Sequence, residues 1–122
     1  MRRSREVYRK KSNENWNAGE ICLKKSLLNS AGNRLYYSLY HAVIFWADPR
    51  YCDCRNPPEH ERVEGILRNR YTEDPEAFQT FADLKIIRVK ADYKLFHVVE
   101  EDFTEHSLLE KVQILRASLL KT

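Results

Sequence analysis

Hydrophobic residues recur at helical spacing along most of the chain, and the first two segments with this pattern lie in its N-terminal half. The first runs from about Ser4, a candidate N-cap, to Leu28, and its pattern is weak enough across residues 10–15 to allow a kink. The second runs from Ala31 to about Ala47 and is apolar nearly all round. Such a helix must be covered on most faces, either by neighbours in the chain or by a second subunit.

Three more helices are predicted in the C-terminal half. The third starts after Asn56, with Pro57 or Pro58 in its first turn, and ends near Tyr71. The fourth has Asp74 as its cap and Pro75 at its first position, and its pattern continues to about His97. The fifth opens at Thr104 and has an apolar stripe formed by Leu108, Val112, Leu115 and Leu119. Together the five patterns predict an all-α, antiparallel up-and-down bundle of four to five helices.

Composition narrows the class of protein. At 122 residues, the chain fits one domain that spans residues 1–122 and needs no metal or disulfide to fold. The longest uncharged apolar run is too short to cross a bilayer, and no apolar signal segment follows the first arginines. Three cysteines, an odd number, are a poor disulfide framework and favour reduced thiols. We therefore expect a cytoplasmic protein without a membrane anchor.

Charge is unevenly placed although the formal net charge is only +3. Residues 1–11 are basic and could form a frayed start, whereas the stretch before the last helix is acidic. A basic arm can contact a phosphate backbone or an acidic partner, and it can equally be the solvated start of a helix. Charge alone leaves both interpretations open.

Arg88 and Asp92 interrupt the core-facing stripe of the fourth helix, which is otherwise formed by Ala77, Phe81, Leu84, Ala91 and Leu95. An arginine on such a stripe is costly unless its charge is paired, and Asp92 lies one turn away. One interpretation is a structural ion pair. The other is a guanidinium at the floor of a cleft that receives an anion such as phosphate.

Arg34 and His41 lie on one face of the second helix, nearly two turns apart. The histidine could exchange a proton near neutral pH, and the arginine could stabilise charge on phosphorus during metal-independent RNA cleavage. These two residues are therefore the candidate catalytic pair. A satisfied core histidine beside a tyrosine hydroxyl is the competing interpretation.

Metal-capable side chains occur at Cys52, Cys54 and His60, with Cys22 as a fourth candidate. Their spacing matches no compact zinc motif, so we expect neither a metal site nor a cofactor. His97 and His106 flank the acidic turn and are interpreted as surface residues.

Two motifs carry a resemblance to a known family. The segment Ala31-Gly32-Asn33-Arg34-Leu35-Tyr36-Tyr37 is followed by His60 at the third helix and then by Arg88-Val89-Lys90-Ala91-Asp92-Tyr93. In order and spacing, the chain from about Trp16 to Leu119 resembles the HEPN superfamily (higher eukaryotes and prokaryotes nucleotide-binding). It is most similar to the small stand-alone prokaryotic members of that superfamily.

The resemblance implies a helical homodimer with a cleft between subunits. It also implies a nucleotidyltransferase partner in a toxin–antitoxin-type module. Nucleotide or phosphate binding would fall to Arg88, Asp92, Tyr93 and Tyr37. Active relatives cut single-stranded RNA without metal, using an arginine and a histidine on a late helix.

This chain departs from that pattern because no histidine follows Arg88 at the active spacing. The primary hypothesis is accordingly a nucleotidyltransferase-linked module with a polar cleft that binds RNA or nucleotide. The alternatives are an active endoribonuclease that uses Arg34 and His41, and a non-catalytic dimerisation or adaptor protein.

Overall fold

A computed structural model describes residues 2–47, 60–70, 74–92 and 97–121, and every regular element in these ranges is helical. The helices, in chain order, are α1 (Arg2–Lys24), α2 (Leu28–Trp46), α3 (His60–Arg70), α4 (Pro75–Asp92), the short α5 (Glu100–Thr104) and α6 (Leu108–Leu119). The prediction of an all-α helical bundle is confirmed. Among the described residues, no helix is both long and apolar enough to cross a membrane.

The junction between α1 and α2 lies three to four residues earlier than predicted. Ser26 adopts a left-handed conformation with φ 58°. The amide of Leu27 donates a 2.8 Å hydrogen bond to the Cys22 carbonyl, and the Ser26 amide bonds the Leu23 carbonyl at 3.1 Å. These two bonds form a Schellman motif, which ends a helix. The predicted end at Leu28 is therefore wrong, because Leu28 is already the first residue of α2.

The start of the last helix also differs from the prediction. Thr104 ends the short α5, and a single 3-10 turn separates it from α6. His106 and Ser107 have φ values of 55° and 56°, which no right-handed helix accommodates. The helix predicted to open at Thr104 therefore opens at Leu108. Its predicted apolar stripe is confirmed, since all four members are buried.

Helix α2 lies at the centre of the fold and packs against α1, α3, α4 and α6. Its side chains with no exposed surface are Ala31, Leu35, Tyr36, Ser38, Leu39, Ala42 and Val43. Neighbours within the same chain thus cover the nearly all-apolar helix. Its apolar character by itself therefore does not require a second subunit.

Two glycines set the distance between α2 and its neighbours. A Cβ atom at Gly19 of α1 would lie 2.7 Å from Cδ2 of Leu35, and one at Gly32 of α2 would lie 2.8 Å from Cγ2 of Ile87. Both separations are too short for real carbon contacts. The absence of a side chain therefore lets α1 and α4 approach α2 closely.

Polar side chains of α1 bond to the helices beneath it. Ser12 is buried and its hydroxyl donates to the Ser38 carbonyl at 2.6 Å. Arg5 Nε donates to the Phe45 carbonyl at 2.7 Å, and Arg9 Nη1 donates to the Leu120 carbonyl at 2.9 Å. The two arginine bonds satisfy carbonyls at the C-terminal ends of α2 and α6, where no helical partner exists. Two arginines of the basic segment therefore stabilise the fold, and α1 runs through residues 10–15 without a break.

The predicted start of α4 is confirmed. Pro75 is its first residue, and the Glu76 amide donates to Asp74 Oδ1 at 3.1 Å. Helix α4 is described as far as Asp92. Other predictions fall outside the described residues, namely those on Cys52, Cys54, Pro57, Pro58, Tyr71, Tyr93 and Leu95.

Candidate functional site

Aromatic and basic side chains from three helices meet on one side of α2. Helix α2 contributes two adjacent pairs of residues one turn apart, α3 contributes its first residue, and α4 contributes an arginine. The members are Tyr36, Tyr37, Tyr40, His41, His60 and Arg88, which we call the Tyr–His–Arg cluster. The cluster brings together Tyr37, His41 and Arg88, three of the residues predicted from the sequence.

His60 lies among three tyrosines of α2. Its Nδ1 atom is 2.7 Å from the hydroxyl oxygen of Tyr36. Its ring centroid is 4.7 Å from that of Tyr40 and 5.8 Å from that of Tyr37. Burial raises the pKa of Tyr36, so this phenol stays protonated and can donate to the histidine. The hydrogen bond links the start of α3 to the centre of the fold.

Arg88 lies over the same tyrosines. Its guanidinium carbon is 5.5 Å from the centroid of the Tyr36 ring and 5.8 Å from that of Tyr37, within the range of cation–π attraction. Nε is 3.3 Å from Asp92 Oδ2, which confirms the predicted ion pair. Nε is nevertheless buried without a hydrogen bond of acceptable geometry. The charge is thus paired, while part of its hydrogen-bonding capacity is unused.

Asp92 and Asn33 border a shallow polar pocket next to Arg88. Asn33 Nδ2 donates to Asp92 Oδ1 at 3.5 Å, a long and weak contact. The pocket has a volume of about 230 Å³, and Arg34 also lines it. The predicted phosphate-binding residue Tyr93 follows directly in the chain, but it lies outside the described residues. The pocket and the Tyr–His–Arg cluster share Asp92 as a common neighbour.

Arg34 and His41, the predicted catalytic pair, both contact Asn15 of α1. Arg34 Nη1 donates to Asn15 Oδ1 at 3.2 Å. Asn15 Nδ2 lies 3.3 Å from His41 Nδ1 and 2.9 Å from the Lys11 carbonyl. The two predicted residues are therefore joined through a side chain of a different helix, and Arg34 itself is exposed.

Both histidines of the cluster are neutral at neutral pH. Burial, with the nearby charge of Lys11, lowers the pKa of His41 to about 4, although hydrogen bonding to the Tyr37 backbone partly opposes this shift. Burial and the Arg88 charge also lower the pKa of His60. The sequence predicts that His41 exchanges protons near neutral pH. With a pKa of about 4, its ring instead remains uncharged there.

This arrangement suits the recognition of an anion that carries aromatic groups. A guanidinium with unused hydrogen-bonding capacity can bind a phosphate oxygen, and aromatic faces can stack with bases. Within the described ranges, no three metal-capable side chains come together, and the two cysteines at 52 and 54 fall outside those ranges. His97 and His106 are exposed, as predicted.

The sequence does not single out four residues of this arrangement as site residues, namely Tyr36, Tyr40, His60 and Asn15. The sequence assigns His60 only a candidate metal-binding role and a place in the family resemblance, and it assigns Asn15 no role. The contacts of both residues are with α2, from which they are separated by many residues of chain, so helical periodicity carries no information about them. The one available signal was the position of His60 at the start of a helix that follows the tyrosine-rich segment.

Comparison with known proteins identifies no relative of this chain: no protein-family model, curated protein or solved structure matches it. The resemblance to the HEPN superfamily therefore rests on the two motifs alone, and a function must be argued from the site.

Proposed function

We propose that this chain is a HEPN-type module that binds single-stranded RNA or a nucleotide at the Tyr–His–Arg cluster. The observation that carries the proposal is Arg88, whose guanidinium lies over two tyrosine rings while its Nε has no hydrogen bond. A bound phosphate would contact the exposed part of the guanidinium side chain, which is 24% exposed, rather than the buried Nε. Of the two rings, that of Tyr37 is partly exposed and would offer a stacking surface for a base, whereas Tyr36 is buried.

A structural role for Arg88 is the competing interpretation, and the two roles differ in what they require. A structural ion pair needs only the contact between Nε and Asp92 Oδ2. It does not need tyrosine rings or a neutral histidine nearby. Single-stranded RNA recognition combines these features, since bases stack on aromatic side chains while arginine binds the backbone.

The assembly belongs to the proposal as well. On the resemblance, we propose an antiparallel up-and-down bundle that forms a homodimer in the cytoplasm and works with a nucleotidyltransferase in a toxin–antitoxin-type module. Recovery of a nucleotidyltransferase with the native chain supports this part. A purification that yields no such partner counts against it, independently of RNA binding.

Replacing Arg88 by lysine should weaken RNA binding about 10-fold, because lysine keeps the charge but loses the planar fork that binds phosphate at two points. The measurement is fluorescence anisotropy of a labelled single-stranded RNA at fixed salt, with wild-type protein and Arg88→Lys in parallel.

Arg116→Lys is the matched control for this experiment. Arg116 also lies over an aromatic ring, that of Trp16 at 5.0 Å, and its Nε is also buried without a hydrogen bond. It lies on α6, away from the Tyr–His–Arg cluster. Equal losses in both variants, or no RNA binding by the wild type, would overturn the proposal.

A further inference from the structure

The amide of Asn15 is held by partners that can each play only one hydrogen-bonding role. Arg34 Nη1 lies 3.2 Å from one terminal atom of this amide, and the Lys11 carbonyl lies 2.9 Å from the other. A guanidinium can only donate, and a carbonyl can only accept. The atom beside Arg34 must therefore be the oxygen, and the atom beside Lys11 must be the nitrogen. Two independent partners thus determine the orientation of the amide.

This orientation constrains the ring of His41. The amide nitrogen of Asn15, a donor, is the atom that lies 3.3 Å from His41 Nδ1. A hydrogen bond at this contact requires a lone pair on Nδ1, and a neutral imidazole with a lone pair there carries its proton on Nε2. The Tyr37 backbone is a competing partner, because hydrogen bonding to it favours the protonated ring. The contact with Asn15 is the one that involves Nδ1.

We infer that Asn15 is a positioning residue that holds His41 as its neutral Nε2–H tautomer, so that His41 donates a hydrogen bond to a ligand oxygen. Its ligand would be an oxygen acceptor, such as a phosphate oxygen or a base carbonyl. This last part rests on the proposed function, whereas the assignment of the tautomer does not.

The tautomer separates the roles of the two histidines. Nδ1 of His41 is occupied by the Asn15 donor, so this ring cannot accept a proton there without losing that bond. His60 instead faces the Tyr36 hydroxyl, which can donate or accept. His41 therefore acts as a hydrogen-bond donor through Nε2 only. In His60, by contrast, the proton can lie on either ring nitrogen, because the Tyr36 hydroxyl can donate or accept.

The charged groups that bear on His41 act in the same direction. Lys11, on α1, disfavours a positive charge on the ring, and His60, on α3, does so when it is itself protonated. Arg34 reaches the ring only through Asn15. These surroundings thus favour the neutral His41 ring that the Nε2–H tautomer requires.

The test is a long-range ¹H–¹⁵N correlation spectrum of the histidine rings, recorded on the folded chain at about pH 7 without RNA. We expect a pyridine-like Nδ1 and a pyrrole-like Nε2 for His41. In Asn15→Asp, a carboxylate acceptor replaces the donor, so the pattern should invert and the proton should move to Nδ1.

Asn13→Asp is the matched control, since it adds the same charge to the same helix. Its side chain faces Arg116, with Arg116 Nη1 donating to Asn13 Oδ1 at 2.8 Å, and it should leave the His41 pattern unchanged. A wild-type ring protonated on Nδ1 would overturn the inference, as would equal responses to both substitutions.

If Asn15→Asp does not fold, Arg34→Met provides the second variant. This substitution removes the donor to Asn15 Oδ1, so the pyridine-like Nδ1 and pyrrole-like Nε2 signals of His41 should weaken. Unaltered signals would count against the inference. Because RNA is absent throughout, failure here is distinct from failure of RNA binding.

Discussion

Replacing Phe81 by alanine should lower the free energy of unfolding by about 3–5 kcal/mol, the usual cost of emptying a large buried aromatic site. Phe81 has no exposed surface, and its ring centroid lies 5.5 Å from that of Tyr36. The substitution therefore removes packing directly beneath the Tyr–His–Arg cluster. Small domains are stable by only about 5–15 kcal/mol, so this variant should lose a large part of its stability. Urea unfolding followed by circular dichroism measures the change.

Ile86→Ala is the matched control for Phe81→Ala. It lies on the same helix but is 64% exposed, so its loss should alter stability by less than about 0.5 kcal/mol. A cost for Phe81→Ala no larger than that of this control would mean that the packing of α4 against α2 is not as described.

Acid should destabilise the protein through His41, by about 3 kcal/mol between pH 6.5 and pH 4. Burial and the charge of Lys11 lower the pKa of this ring from 6.5 to about 4 in the folded state. In this window the unfolded chain binds a proton that the folded chain does not, so stability is full above pH 6.5 and falls as the pH drops. Each unit of pKa difference corresponds to about 1.4 kcal/mol. The measurement is urea unfolding of the wild type and His41→Gln at about pH 7 and pH 4.

The comparison between variants isolates the histidine, because carboxylates also become protonated in this range. His41→Gln should lose less stability than the wild type by about the same 3 kcal/mol. His106→Gln replaces a histidine that is 80% exposed and should follow the wild type. If His41→Gln and the wild type lose equal stability in acid, His41 is not held neutral by its surroundings.

The helices could be predicted from the sequence because the residues at apolar helical spacing are the ones that are buried in the fold. The start of α4 was predicted correctly at Asp74 and Pro75, where capping chemistry is local. The turns at Ser26 and at His106–Ser107 were not predicted, since none of these residues is a glycine although each has a positive φ. A non-glycine residue in this conformation carries no clear signal in a single sequence.

The candidate site was predictable only within single helices. The Arg88–Asp92 pair lies one turn apart on α4, so helical spacing sufficed to predict their contact. Arg34 and His41 also share one helix, but the side-chain amide that joins them belongs to Asn15 of α1. The contact of His60 with Tyr36 likewise depends on how α3 packs, which periodicity does not specify.

The most direct test of RNA or nucleotide binding at the Tyr–His–Arg cluster is an NMR titration with single-stranded RNA that follows the arginine Nε–H resonances. The Arg88 resonance should shift in proportion to bound RNA, because a phosphate at the exposed part of the guanidinium changes the electronic environment of Nε. The Arg116 resonance should stay in place. RNA that binds while shifting Arg116 or the N-terminal arginines and leaving Arg88 unchanged would contradict the assignment of this cluster as the binding site.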